Sequence, residues 1–367
     1  MKRASRWRQV PAAGRELQRA GSGRSARILV VRPGALGDVL LTLPALEALH
    51  ARFPYAAIEV MGNPTVLRLL LGRSVVSAAS SFDAADLGSL FQHGAIPTPR
   101  LQGYLDQFDI VVSYTVEPTH VFAGNLARLA RGKVLSINAQ PRAGARVHIS
   151  DYLQWGLQKL GVAQRHQPSS LILTAEDQRD AEQWWAEQGL AAHRVLAIHP
   201  GSGSPAKNWL APRFAAVARD ARRRYGLRVL LLSGSADAVA VTEVQRALQG
   251  CDYTLLQGVS LQRLAGILAR CHAYVGNDSG VSHLAAAVGA PTVVVFGPTD
   301  AAVWAPRGPS VRVVQGPAPC APCDPAQRCG CARRMCLETS SASTVLEALS
   351  AVLEAGASRM RQDAASM

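Results

Sequence analysis

Short apolar runs, separated by longer stretches of mixed character, set the first pattern in this chain. "ILVV" from Ile28, "AIEVM" from Ala57, "DIVVS" from Asp109 and "KVLSI" from Lys133 are nearly continuous in apolar residues. "RVLAIHP" from Arg194, "RVLLLSG" from Arg228, "AYVGND" from Ala273 and "TVVVFGP" from Thr292 repeat the rhythm. Strands apolar on both faces that alternate with helical stretches belong to parallel sheets covered on two sides. The pattern predicts an α/β protein with two doubly wound Rossmann-like domains, one for each set of strands.

Between the halves, "DYLQWGLQKLG" predicts a helix with Tyr152, Trp155, Leu157 and Leu160 as its apolar face. Thr174, with Asp177 three residues on, predicts the N-cap of a helix carrying Trp184 and Trp185, an acidic variant of the capping box. The hinge is expected near Pro168 to Leu173. "SASTVLEALSAVLEA", Ser341 to Ala355, predicts a last amphipathic helix with a frayed tail beyond it. The expected division is a leader at 1–26, a first domain at 27–170, a second at 171–340 that includes a Cys-rich loop at 318–337, and the helix and tail at 341–367.

Composition supports this size of fold: 367 residues, 48% of them hydrophobic, supply two cores. The formal charge of +13 is unevenly spread. Lys2, Arg3, Arg6, Arg8, Arg15, Arg19, Arg24 and Arg27 face one acid, Glu16, so the leader reads as a disordered arm or as an over-extended start. Such an arm can rest on anionic lipid, and a peripheral contact with the inner membrane follows; nucleic acid is not an expected partner. The first apolar run is broken by Arg32 and Asp38, so it is neither a signal peptide nor a membrane span, and a cytoplasmic protein is expected.

Two such domains facing each other turn the carboxyl ends of their strands toward one central cleft, where open α/β sheets bind ligands. Four strand exits there carry candidate chemistry. In "RPGALGDVLLTLPAL", Asp38 stands in the first turn of a helix that Pro44 kinks or restarts. Asp38 reads equally as a cap or as a general base, with Gly34 and Gly37 allowing close approach to the backbone. In "HPGSGSPAKNW", free N–H groups, Ser202, Ser204 and Lys207 suit a diphosphate. In "GNDSGVSHLAAAVGAP", Asp278, Ser279, Gly280 and His283 converge at a helix start. "FGPTD" adds Thr299. Asp237 or Glu243 is a candidate for a ribose diol, with nothing to choose between them.

Taken in order, "RPGALGDVLLTLPAL", "HPGSGSPAKNW" and "NDSGVSHLAAAVGAPTVVVFGPTD", with "RVHISDYLQWGLQKLG" in mid-chain, resemble glycosyltransferase family 9, the lipopolysaccharide heptosyltransferases. The resemblance implies a GT-B fold, ADP-heptose as donor, and inverting transfer to a sugar of the lipopolysaccharide inner core. It makes Asp38 the catalytic base, and Lys207, Asp278, Ser279, Gly280 and His283 the donor site, with Ser202 and Ser204 in the matching loop. Arg146 and His148 are expected on the acceptor side. Some members carry a hydroxyl residue where this chain has Pro33-Gly34-Ala35, so that acceptor contact is not carried over. No D-x-D motif stands at a suitable strand end, and chemistry without a required metal or other cofactor is expected.

Cys320, Cys323, Cys329, Cys331 and Cys336 fall in one short loop. In a reducing compartment this set suits a structural Zn or Fe ion or free thiols. Relatives that glycosylate autotransporter proteins carry a cysteine-bound iron, so a protein acceptor also fits, in place of lipopolysaccharide. A different nucleotide sugar as donor, and nucleotide-sugar binding without turnover, fit the same sequence.

Overall fold

The computed structural model describes residues 25–82, 86–117, 119–142, 144–323, 331 and 333–365, with side chains as far as residue 356. The basic leader up to residue 24 and Cys329 lie outside the described residues. The first sheet contains β1 (Arg27–Val31), β2 (Ala57–Gly62), β3 (Ala78–Ser81), β4 (Ile110–Thr115) and β5 (Lys133–Asn138), in the order β3-β2-β1-β4-β5. The second contains β6 (Val195–His199), β7 (Arg228–Ser233), β8 (Tyr253–Gln257), β9 (Ala273–Asn277), β10 (Thr292–Phe296) and β11 (Val311–Gln315), in the order β11-β10-β9-β6-β7-β8. Every pairing in both is parallel. These are the two Rossmann-like domains of the GT-B fold.

Burial explains which strands the apolar runs marked. β4, β6, β9 and β10 are buried at every residue, whereas the edge strands β5 and β11 expose several. The edge strands β3, "AASS", and β8, "YTLLQ", give no continuous apolar signal because only part of each is covered. In the first sheet the chain steps outward from β1 to β3 and then returns to β4, so it reverses between β1 and β4. In the second it reverses between β6 and β9. Crevices at such reversals are where α/β sheets bind ligands.

One buried cluster runs from Ile28 and Val112 through Leu157 and Leu160 to Trp185, Leu264 and Leu284, joining the two halves. Residues 162–174 between them form neither helix nor strand. The capping box forms as expected: the Thr174 hydroxyl accepts the Asp177 N–H at 3.2 Å, and Asp177 Oδ2 accepts the Thr174 N–H at 2.9 Å. Asp177 has a second duty, because Arg73 of the first half approaches it side-on, with Nε 2.6 Å from Oδ2 and a second bond to Oδ1. The Arg73 bonds and the cap hold the Asp177 pKa below its usual value, although burial alone would raise it.

Two expectations are corrected. The mid-chain helix is Ile149–Gly156, followed by a 3-10 turn at Leu157–Leu160. Its inward residues are Ile149, Leu153, Leu157 and Leu160, and Trp155 falls off that line and is 60% exposed. The last helix runs Ala342–Ala365, past the expected end at Ala355, since Ser358 to Ala365 contains neither Gly nor Pro. Val345, Leu349 and Val352 pack it against the second sheet. Among the described residues, no helix is long and apolar enough to cross a membrane.

The Arg73–Asp177 pair has side chains only 12% and 5% exposed, so losing one partner leaves a charge in a dry place. Arg73→Ala is expected to cost about 3 kcal/mol in urea unfolding. Arg222→Ala, which breaks the exposed pair with Asp252, is expected to leave the midpoint unchanged.

Candidate active site

A cavity of about 450 Å³ opens where the reversal points of the two sheets meet. The segment after β1 contributes Arg32, Gly37 and Asp38, and those after β4 and β5 contribute Val116 and Gln140. From the second sheet come Gly203 and Lys207 after β6, Asp278, Ser279, Gly280 and His283 after β9, and Thr299 after β10.

Asp38 lies at the third position of the short helix Leu36–Leu40, which Pro44 follows as the second residue of a new helix, Leu43–Arg52. Its Oδ2 accepts the Ala35 N–H at 3.0 Å, and its Oδ1 accepts from the Arg32 guanidinium at 3.2 Å. Arg32 is only 4% exposed in its side chain, while Asp38 keeps 38% open to the cavity. Burial lowers the Arg32 pKa, and the Asp38 charge works against that. Arg32 Nε also donates to the Thr42 hydroxyl at 3.0 Å, so the guanidinium is fixed from both sides. Gly34 is needed at the turn: its φ is +152°, and a Cβ there would lie 2.8 Å from the Cβ of Asp38.

Opposite Asp38, Lys207 Nζ sits 2.8 Å from Asp278 Oδ2, and the Thr299 hydroxyl donates to that same oxygen at 2.6 Å. Ser279 caps the helix Gly280–Ala287, whose first turn faces the cavity. His283 is buried and makes no side-chain hydrogen bond among the described residues. Burial pushes its pKa down to about 4, with Asp278 and Asp38 opposing and His148 and Lys207 adding to the fall, so the ring is neutral. A lysine, free helix amides and a neutral imidazole at one end of a cavity have the chemistry that suits an anion.

The helices carrying Asp38 and His283 touch directly. Gly280 packs so closely that a Cβ would lie 2.8 Å from the Leu36 Cβ and 3.1 Å from the Gly37 nitrogen.

Several expected site residues are not brought to this cavity. Asp237 is turned inward, with Oδ2 held 2.9 Å from His199 Nε2 and 2.8 Å from the Gly234 nitrogen, and it does not line the cavity. Glu243 and Ser202 face a separate groove of about 800 Å³ beside Trp209, Val239 and Arg334. The Ser202 hydroxyl lies 2.6 Å from both the Ser204 carbonyl and Asn208 Oδ1, and Ser204 caps the 3-10 turn Pro205–Lys207. His148 is buried, with Nε2 donating to the Ala305 carbonyl at 2.8 Å and Nδ1 accepting the Ser150 N–H, so it ties the domains together. Arg146 is exposed and does not line the cavity. Cys320 and Cys331 are exposed and Cys336 is buried. Among the described residues no group of three or more His, Cys, Asp or Glu is placed to hold a metal ion, and Cys329 is outside them.

A family model for glycosyltransferase family 9 (heptosyltransferase) matches residues 116–330. The chain belongs to glycosyltransferase family 9. The lipopolysaccharide heptosyltransferase 2 of Escherichia coli strain K12 is 25% identical over 310 residues, covering 79% of this chain and 88% of that one. Among solved structures, a family 9 glycosyltransferase from Veillonella parvula superimposes with a TM-score of 0.73 at 21% identity, covering 91% of this chain and 99% of that one. The E. coli ADP-heptose lipopolysaccharide heptosyltransferase II follows at 0.67 and 23%, covering 89% and 98%. This glycosyltransferase thus has the fold of its relatives along nearly its whole described length.

Two residues of the site escape sequence reading. Arg32 reads in sequence only as a break in an apolar run, and that break is the signal. Asn277, fully buried at the end of β9, donates to the Pro200 carbonyl at 2.7 Å and accepts the Trp209 N–H at 2.9 Å, anchoring the lysine-bearing loop. A polar residue ending an apolar strand is its signal.

Adding a methyl group at Gly280 is expected to force the two helices apart. Gly280→Ala should lower stability by about 1–3 kcal/mol in denaturant titrations, and should reduce transferase turnover measurably in the same preparation. His283 gives a pH signature. Its folded value of about 4 lies below the ordinary 6.5, so the unfolded chain takes up this proton first. Stability from this group is therefore complete above about pH 6.5 and falls as pH drops toward 4. Denaturant midpoints at pH 7.5 and 5.5 should show the fall, and His283→Asn should reduce it.

Proposed function

We propose that this glycosyltransferase moves heptose from ADP-heptose to a sugar of the lipopolysaccharide inner core, with inversion at the anomeric carbon. One observation carries the mechanism: a half-open carboxylate, Asp38, and a cationic clamp built on Lys207 line the same cavity from opposite domains. Family membership and the relatives' donor and acceptor support the choice of sugars.

In this mechanism the first domain, through about residue 170, presents the acceptor and the second holds the donor. Asp38 takes the proton from the acceptor hydroxyl as that oxygen bonds to the anomeric carbon. The bond from that carbon to the diphosphate breaks on the opposite face, and ADP leaves with the electron pair. Arg32 and the Ala35 N–H hold the carboxylate in one orientation, which is what a positioned base requires. Charge grows on the departing diphosphate. Lys207, the first amides of Gly280–Ala287 and a donor nitrogen of the neutral His283 meet it there. Asp278 holds Lys207 until the donor arrives, and then offers lone pairs to a sugar hydroxyl. Side chains and amides thus supply at the leaving group what a divalent cation supplies in other transferases, and turnover is expected without one.

The test is transfer from ADP-heptose to a heptose-deficient core acceptor. Asp38→Asn is expected to slow transfer by about 10²–10⁴-fold while leaving ADP affinity intact. Lys207→Ala is expected to weaken ADP, and EDTA to leave the wild-type rate unchanged. Unchanged transfer by the Asp38 variant would remove that residue from its role.

A further inference from the structure

β6 ends in a buried histidine that the transfer mechanism does not use. His199 is 3% exposed, and its two ring nitrogens face different partners: Nε2 lies 2.9 Å from Asp237 Oδ2, and Nδ1 lies 3.4 Å from Ser279 Oγ. Burial raises the Asp237 pKa, but the His199 and Gly234 bonds more than offset it, and the carboxyl stays ionised. A carboxylate only accepts, so His199 carries its proton on Nε2. With one ring proton, on Nε2, Nδ1 is an acceptor within 3.4 Å of the Ser279 hydroxyl, whose oxygen also lies 3.2 Å from Ser282 Oγ, so both acceptors open to its proton lie on the inner side. The neighbouring Ser282 hydroxyl is committed to the Asn277 carbonyl at 2.5 Å. Ser279 lines the cavity, yet in this state its proton points inward and an arriving anion meets only lone pairs. His283, 6% exposed and without a side-chain partner among the described residues, lines the same end of the cavity.

We propose that Asp237 and His199 form a positioning relay that turns the Ser279 hydroxyl toward the diphosphate when His199 takes up a second ring proton, an inference that rests on the donor site described above. Protonated His199 donates from Nδ1 to Ser279 Oγ. The Ser279 O–H is then free to donate to a diphosphate oxygen. One proton moves from solvent to Nδ1, and no covalent bond forms or breaks. Asp237 at 2.9 Å makes the charged ring tolerable inside the protein.

Other titratable and charged groups of this region sit on neighbouring elements. Asp237 stands ahead of the helix Ala238–Ala247, and Tyr274 on β9 is sensitive to the Asp237 charge. His283 lies on Gly280–Ala287, and Lys207 is paired with Asp278. Of these, Asp237 makes the direct contact. The ligand that favours the extra proton is the more anionic one. Free ADP ends in a phosphate monoester, whereas a nucleotide sugar has that oxygen esterified. The relay therefore tightens the clamp on the leaving group as the sugar departs.

Ring-nitrogen NMR on the full chain labelled with ¹⁵N-histidine tests this, with His199→Gln assigning the resonance, or Ser279→Ala should the first variant fail to fold. Without ligand His199 is expected as the Nε2–H tautomer; with ADP bound at neutral pH, both ring nitrogens should be protonated. Ser279→Ala should weaken ADP about tenfold, as expected for one charge-assisted hydrogen bond, and should weaken ADP-ribose less. ADP binding with unchanged His199 signals, or an equal affinity for ADP in Ser279→Ala, would overturn the relay and leave the donor site standing. Failure of the wild-type protein to bind ADP would overturn the donor site itself.

Discussion

Where Gly280 meets the backbone of Gly37, two helices from different domains come closer than any side chain would allow. Each helix starts at the reversal point of its own sheet, so this contact joins the two places where ligand crevices form in folds of this kind. The rest of the site depends on it. Asp38 comes one residue after Gly37, and Ser279 and His283 flank Gly280 on the other helix. A gap between the domains would separate the carboxylate from the clamp; here their supports abut. Outside the cavity the same alignment is reinforced by Arg73–Asp177, Arg307–Asp151 and His148–Ala305, all of which bridge the halves.

The cavity carries its charges in couples. Arg32 is dry and Asp38 half open; Asp278 is dry and Lys207 partly open. In each couple the buried member fixes geometry and the open member faces the cavity. A buried guanidinium without Asp38 would be costly, so the carboxylate cannot swing away cheaply. Lys207, with a buried acid behind it, is likewise held near one position, which limits the ordering left to do when a ligand arrives. His283 completes the set by staying neutral, so it can lie beside Lys207 without repulsion.

Much of this is legible in the chain, and the failures share a cause. Runs such as "ILVV" and "TVVVF" announce the inner strands because both faces of those strands are covered. "AASS" and "YTLLQ" do not, because edge strands are half solvated. Glycine-rich strand exits locate Asp38, Lys207, Asp278 and His283, since backbone freedom at a strand end leaves a trace in composition. Asp237 and His148 mislead for the opposite reason. A polar residue near a strand exit looks the same in sequence whether it points into the cleft or inward to a partner, and these two point inward to partners 38 and 157 residues away. Trp155 misleads through a different effect: the inward line of its helix runs through Ile149 and Leu153, and Trp155, two residues past Leu153, falls off it.

In sequence Asp38 reads as a helix cap or as a base, and the geometry leaves room for both. Each carboxylate oxygen accepts one bond, Oδ2 from the Ala35 N–H and Oδ1 from Arg32. Each has room for another, because a carboxylate offers about four lone-pair sites. Capping therefore uses part of the group and leaves the rest to the cavity. The cap also does for the proposed transfer what solvent cannot, since a side chain tied at both oxygens meets an acceptor hydroxyl along a narrow range of directions. The Gly34 backbone makes this possible: with a Cβ at that position the carboxylate would be displaced from both donors at once. The short helix, its acid at the third position and the glycine before it thus form one device, in which the same bonds that end a strand-to-helix turn aim a carboxylate into the cavity.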